Sequence, residues 1–104
     1  MRIELLYADG DPAAMTARQN LVEVLNEDAF ETPIQMVAVA SHDDAQLLEM
    51  RGSPTIRIDG ADIDPEWDGP ISMAPRDYGG GPVPPKDLIR IAVTRARGWA
   101  HGRR

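Results

Sequence analysis

The sequence predicts an α/β (α+β) domain in which a mixed four-stranded sheet carries helices on both faces. Three observations predict this class: two short apolar runs, a helical apolar pattern between them, and an Asp-Gly turn after an alternating run. A strand–helix–strand unit makes its two strands parallel, and a hairpin adds an antiparallel pair. The predicted order is β-α-β-α-β-β-α, and 104 residues suit one domain.

The first strand and the first helix are predicted from the N-terminal quarter of the chain. Residues 3–7 (IELLY) form a short apolar run that a turn sequence, ADG, brings to an end. Asp11 then suits a helix N-cap, and Pro12 suits the first helical position. Apolar residues follow at helical spacing, so we expect a helix that fades at residues 26–28, well before Pro33.

The second strand and a short second helix are predicted next. Residues 34–40 (IQMVAVA) are nearly all apolar, which is typical of a strand covered on both faces. Ser41 and Asp44 have the spacing of a capping box. We expect this helix to continue through Met50 and to end with Gly52 as its C-cap.

A hairpin and a long loop are predicted in the second half of the chain. Residues 54–59 (PTIRID) alternate between apolar and polar, Asp59-Gly60 is a two-residue turn signal, and residues 61–64 supply the returning strand. Residues 65–84 are rich in proline and glycine and are expected to lack regular structure. A loop of this length often acts as a lid or a binding loop.

The C-terminal part of the chain differs from the rest in charge. Residues 85–97 predict the last helix, so residues 1–97 are taken as the domain and residues 98–104 as a basic tail. Residues 1–87 hold all seventeen acids and six bases, a balance of −11, whereas five arginines and no acid follow. An acidic body does not suit nucleic acid, which is therefore not an expected partner.

Composition excludes several classes of function. The chain has no cysteine, so disulfides, cysteine–zinc sites and thiolate nucleophiles are ruled out. It has no run of eighteen apolar residues, and no membrane partner is expected. The N-terminal sequence MRIELLYADG lacks the features of a secretory signal, so the expected location is cytoplasmic.

No sequence motif predicts a cofactor or a metal. The acidic stretch 62–68 fails as an EF-hand because Trp67 and Met73 stand where glycine and glutamate are needed. The two histidines lie far apart and have no ligand pattern around them. The glycines at 79–81 lack the lysine and hydroxyl residue of a phosphate-binding loop.

The segment Gly52-Ser53-Pro54-Thr55, with the hairpin that follows it, resembles the thioredoxin superfamily. Within that superfamily it looks more like small bacterial thioredoxin-like proteins, some of which carry names borrowed from organomercurial lyases. The resemblance covers residues 1–97 and implies a cis Ser53–Pro54 bond that faces the start of the first helix. Asp11 and Ala14 stand where the family's two reactive cysteines would be, so its redox functions do not carry over.

The candidate site is the groove that the resemblance places between Asp11 and Pro54. Asp11 acts there as a helix cap, as a ligand contact or as a catalytic group. Ser53 is expected to expose its backbone N–H and C=O, to which an extended peptide could pair as an added strand. Trp67 and Tyr78, in the long loop, either cover a ligand in the groove or simply roof the sheet.

Two functions from different classes follow from these residues. The first is a redox-inactive thioredoxin-like domain that binds a peptide, a partner protein or a small ligand at this groove. The alternative is a non-redox enzyme that acts on a small molecule with Asp11, beneath the 65–84 loop. A homodimer through an exposed sheet edge is a further candidate arrangement.

Overall fold

This computed structural model describes residues 1–27 and 31–101, the last three of them by backbone alone. These residues contain six strands and three helices. The strands are β1 (Ile3–Ala8), β2 (Ile34–Val39), β3 (Arg51–Ser53), β4 (Thr55–Ile58), β5 (Ala61–Asp62) and β6 (Ser72–Pro75). The helices are α1 (Ala13–Glu27), α2 (His42–Leu47) and α3 (Lys86–His101). The predicted mixed α/β class is confirmed.

A mixed four-stranded sheet forms the centre of the fold, with the order β2-β1-β4-β5. β1 and β2 are parallel, while β4 is antiparallel to both of its neighbours, β1 and β5. At the β4–β5 turn, Asp59 has φ 52° and Gly60 has φ 86°. Left-handed conformations at both positions are what a two-residue hairpin requires, so the predicted Asp-Gly turn is confirmed.

The two faces of the sheet carry separate cores because side chains alternate along each strand. Leu5 and Ile56 contribute to the larger core, which α1 and α3 cover. Leu6 points to the opposite face and packs with Val39, Ala45 and Met50, on the side of α2. Helices therefore lie on both faces of the sheet, as predicted.

Two ion pairs join α1 to α3 across the larger core. Glu23 accepts a hydrogen bond from Lys86, which holds the pKa of that carboxyl below its usual value. Arg90 lies 2.8 Å from Glu27 and lowers its pKa in the same way. Both pairs are exposed, so each contributes little to the stability of the fold.

The second helix is shorter than predicted and is followed by an additional strand. α2 ends at Leu47, and Glu49 takes a left-handed φ of 54°. The Met50 N–H then returns to the Ala45 carbonyl at 2.8 Å, which turns the Met50 side chain into the core. Gly52 consequently lies within β3 and is not a helix cap.

Residues 65–84, which we call the strap, are not the structureless loop that the sequence predicted. They contain β6, which pairs parallel with β3 and forms a second, two-stranded sheet. Ile71 and Met73 of the strap pack against the core on the α2 side. The strap thus covers part of the core, and strand pairing satisfies backbone groups that burial would otherwise leave without partners.

The last helix is longer than predicted. α3 continues to His101 and includes the start of the expected tail, because a single glycine, Gly98, weakens a helix without ending it. Residues 102–104 of that tail lie outside the described residues. None of the described helices has the length and apolar character needed to cross a membrane.

Candidate functional site

Asp11 caps the start of α1, as the sequence predicted. Its Oδ1 accepts a hydrogen bond from the Ala13 N–H at 2.9 Å, and its backbone carbonyl accepts one from the Ala14 N–H at 3.2 Å. A carboxylate at this position satisfies an otherwise free helix N–H group and is stabilised by the helix dipole. The side chain is half-buried.

The second carboxylate oxygen of Asp11 binds the residue that precedes Pro54. The Ser53 hydroxyl donates to Asp11 Oδ2 at 2.5 Å and accepts from the Ala8 N–H at 2.9 Å. The Ser53–Pro54 peptide bond is cis. The predicted cis bond and its predicted place opposite the start of α1 are both confirmed.

Ser53 does not present its backbone to an open groove, contrary to expectation. It is 1% exposed, and its carbonyl accepts a hydrogen bond from the Arg76 N–H at 3.0 Å. Pro54 is fully buried as well. The chain's own β6 lies where an added peptide strand was expected, because the strap forms a strand that the sequence pattern did not reveal.

Tyr78, also in the strap, closes the other side of the cis bond. Its hydroxyl donates to the Pro54 carbonyl at 2.6 Å, and its ring packs against the larger core. Burial raises the pKa of Tyr78 well above its ordinary value, although the nearby Arg76 charge opposes this rise. The phenol therefore remains a hydrogen-bond donor at neutral pH.

Arg76 joins these parts, a role that no local sequence pattern had predicted. It is 1% exposed, and its guanidinium lies 4.8 Å from the ring centroid of Tyr78 and 5.6 Å from that of Trp67. Its two terminal nitrogens donate to both carboxylate oxygens of Asp62, at 2.7 and 2.9 Å. Further bonds reach Thr55 Oγ1 and the Asp64 carbonyl, both at 3.3 Å.

Trp67 lies on the strap beside β3 and does not border Pro54 directly. Its indole N–H donates to the Arg51 carbonyl at 3.0 Å, and it reaches the rest of the cluster through Arg76. Direct hydrogen bonds thus connect Asp11 to Ser53 and Tyr78 to Pro54, while Trp67 joins through a cation–π contact. Both aromatic residues of the strap thus donate to backbone carbonyls, those of Arg51 in β3 and of Pro54 just before β4.

Arg76 could have been suspected from its sequence neighbours. It is the only basic residue of the strap, and an aromatic residue lies on either side of it in the sequence. An arginine between aromatic residues, downstream of the closely spaced Asp62 and Asp64, is typical of a stacked ion pair. The sequence alone could not indicate that the side chain would be buried.

The exposed part of the site is the turn that leads into α1. Asp9, Gly10 and Pro12 are exposed, and Met15 on the first turn of the helix keeps 63% of its surface open to solvent. This surface, residues 9–12 with Met15, is called the helix-start surface below. It joins the exposed Asp9 to the exposed apolar side chain of Met15 on either side of Asp11, whose carboxylate is bonded to Ser53.

Neither a metal-binding arrangement nor a known relative identifies this site. Among the side chains that the structure describes, no three His, Cys, Asp or Glu residues are grouped in a way that would hold a metal ion. Comparisons with protein-family models, curated proteins and solved structures found no match to this chain.

Proposed function

We propose that this chain is a redox-inactive thioredoxin-like domain that binds a peptide or partner protein where Asp11 faces Pro54. The observation that carries the proposal is the Ser53 hydroxyl bonded to Asp11, which fixes the start of α1 against the cis Ser53–Pro54 bond. The parallel strand–helix–strand unit and the following hairpin support the same assignment. With no cysteine in the chain, the retained geometry favours binding over thiol chemistry.

The enzyme alternative has no comparable support. Both carboxylate oxygens of Asp11 accept hydrogen bonds within the fold, and the Ser53 hydroxyl is buried, which favours a structural role for both groups over a catalytic one. Three cavities of 390 to 410 Å³ open elsewhere on the described chain, and Asp11 lines none of them. A small-molecule catalyst usually places its reactive group inside such a cavity.

The helix-start surface determines the kind of peptide that would bind. Met15 offers a flexible apolar side chain that adapts to different contacts. Asp9 and Asp11 add negative charge beside it, and the body of the protein is acidic as well. A segment with both basic and apolar side chains complements this surface.

Peptide selection followed by chemical-shift mapping tests the proposal. Peptides are selected from a random display library on the immobilised protein and then titrated into ¹⁵N-labelled protein. We expect basic–apolar sequences that shift the backbone amides of residues 9–11, 13–15, 53, 55 and 78–81. Peptides that shift only amides elsewhere would contradict the assignment.

A pair of variants makes this test specific. Met15→Ala should weaken peptide binding by roughly tenfold, the cost of truncating an interface anchor. Ile91→Ala is the matched control, because Ile91 is an apolar helix residue that is 55% exposed on α3. Equal affinities for the two variants would place the peptide outside the helix-start surface.

A further inference from the structure

The two edges of the four-stranded sheet differ sharply. β5 closes one edge with only two residues, Ala61–Asp62, next to the acidic Asp59. β2 forms the other edge with six residues and borders only β1 among the described strands. A long edge strand presents a row of free N–H and C=O groups that can template another strand.

The free groups on β2 can be assigned to particular residues. The Val39 carbonyl accepts from the Asp9 N–H at 3.0 Å, so Val39 turns its backbone toward β1. Backbone groups alternate along a strand, so those of Ile34, Met36 and Ala38 point to the open side. Ile34 and Ala38 each lie two residues from Met36, so the open groups are arranged symmetrically about Met36.

β2 lacks the features that usually prevent strands from pairing edge to edge. Its register with β1 is unbroken over all six residues, without a bulge. Residues 32–42 form the longest stretch of the sequence that has no Asp, Glu, Lys or Arg. Pro33 precedes the strand and does not interrupt it. Charges, bulges and internal prolines are the usual protections, and none is present here.

We propose that β2 pairs antiparallel with β2 of a second copy of this chain, about a two-fold axis at Met36. Met36 then lies opposite the partner's Met36, and Ile34 lies opposite the partner's Ala38. Each of these pairs exchanges its outward N–H and C=O groups. The result is one continuous sheet through both copies, with α1 and α3 of each on one face and α2 on the other.

Charge makes a second copy the fitting occupant of this edge. Residues 1–87 carry a balance of −11, so two copies repel one another over most of their surfaces. The charge-free stretch 32–42 is where they can meet without opposing carboxylates. In the proposed register Glu31 lies opposite the partner's Ser41, which carries no charge. Ile34 and Met36, now half-buried, gain apolar cover.

Sedimentation equilibrium tests the pairing directly. The wild-type mass should rise from 11.4 kDa toward twice that value as the concentration increases from about 10 μM to about 1 mM. Ala38→Lys places a charge on the exposed edge at two symmetric positions and should raise the dissociation constant by roughly ten- to thirtyfold. Ala61→Lys is the matched control: it adds the same charge at an exposed alanine of the opposite edge, β5, and should leave the dimer intact.

Hydrogen exchange on the wild-type protein gives a second readout that does not depend on how a variant folds. Amides of Met36 and Ala38 should exchange rapidly when the protein is dilute and slowly when it is concentrated, whereas the Val37 amide, which faces β1, should be protected throughout. A monomer at every concentration, a dimer that survives Ala38→Lys, or protection that does not follow concentration would each overturn the proposal. The pairing uses neither Asp11 nor the strap, so its failure would leave the proposed function standing.

Discussion

Asp11 links local and distant structure through one side chain. Its role as a cap could be predicted, because the Asp-Pro pair and the helical pattern after it are local signals. Its bond to Ser53 joins residues 42 apart in sequence, and neither residue's neighbourhood indicates it. Only the resemblance carried by Gly52-Ser53-Pro54-Thr55 placed the two segments together.

Substitution of Asp11 separates its two contacts. Asp11→Ser keeps a capping oxygen, while Asp11→Ala removes the cap and the acceptor for Ser53. We expect Asp11→Ala to cost about 2–5 kcal/mol of unfolding free energy, since a cap contributes about 0.5–2 and a hydrogen bond to a charged group about 1.5–3. Asp11→Ser should fall between wild type and Asp11→Ala in urea unfolding. Equal losses for the two variants would mean that the carboxylate charge, and not the capping oxygen, is what the helix start requires.

Tyr78 predicts a particular loss of stability at alkaline pH. Because burial raises its pKa in the folded state, the unfolded chain releases the phenolic proton first, near pH 10. The stabilising effect is complete below that pH and is lost as the pH rises toward the folded-state pKa.

The measurement is the unfolding free energy of wild type and Tyr78→Phe between about pH 8 and about pH 11. At neutral pH the variant should lose about 1 kcal/mol, because the bond to the Pro54 carbonyl is gone. It should also show a shallower alkaline decline than wild type. Parallel pH profiles would show that Tyr78 titrates alike in the folded and unfolded states.

At the scale of elements, local patterns predicted the hairpin and the β1–α1–β2 unit but not the β3–β6 pair. An Asp-Gly turn and a helical apolar pattern are signals contained within a few neighbouring residues. The position of β6 instead depends on a contact between distant residues, because Arg76 is buried against Asp62. The strap is rich in proline and glycine, which predict a loop, and its apolar residues Ile71 and Met73 are too few to predict a strand. Tertiary contacts decided the structure there.

The Arg76–Asp62 pair should dominate the stability of the strap. Asp62→Ala leaves a buried guanidinium without its carboxylate, which typically costs about 3–5 kcal/mol. The lower end of that range is expected because the Asp62 side chain is 23% exposed. Arg76→Met should cost less, since methionine fills much of the space without charge. In the double variant the two losses should not add, and a urea-unfolding cycle with strictly additive losses would contradict the coupling.

At the scale of the whole molecule, the sequence predicted a mixed four-stranded sheet with helices on both faces, but not the second sheet or the residue at which the last helix ends. The strands of the sheet could be predicted because their apolar runs, such as residues 34–40, stand out from the surrounding sequence. The end of α3 has no such signal, because Gly98 and the arginines before it are tolerated in a helix. Helix boundaries that rest on one weak breaker are the least certain part of any sequence-based prediction.

The thioredoxin-like assignment can be tested by restoring the missing chemistry. In the double variant Asp11→Cys, Ala14→Cys the new thiols stand at the cap and the first turn of α1, close enough for a disulfide if the proposed frame is correct. We expect air oxidation to remove both free thiols in a thiol titration, and the reduced form to show insulin reductase activity that wild type lacks. Asp11→Cys alone is the control and should retain its free thiol. Two thiols that stay titratable after oxidation would contradict the assignment.

The close contact between β3 and the strap also limits how this sequence can diverge. A side-chain carbon added at Gly52 would come within 2.9 Å of the Arg76 Cβ, and the φ of Gly52, 97°, is one that other residues rarely adopt. A descendant that replaced this glycine would have to move the strap, and Arg76 would then leave the place where Asp62 neutralises it. The glycine, the arginine and the aspartate should therefore be inherited together or lost together. That shared inheritance is a signature by which distant relatives of this chain could be recognised even where the rest of the sequence has changed.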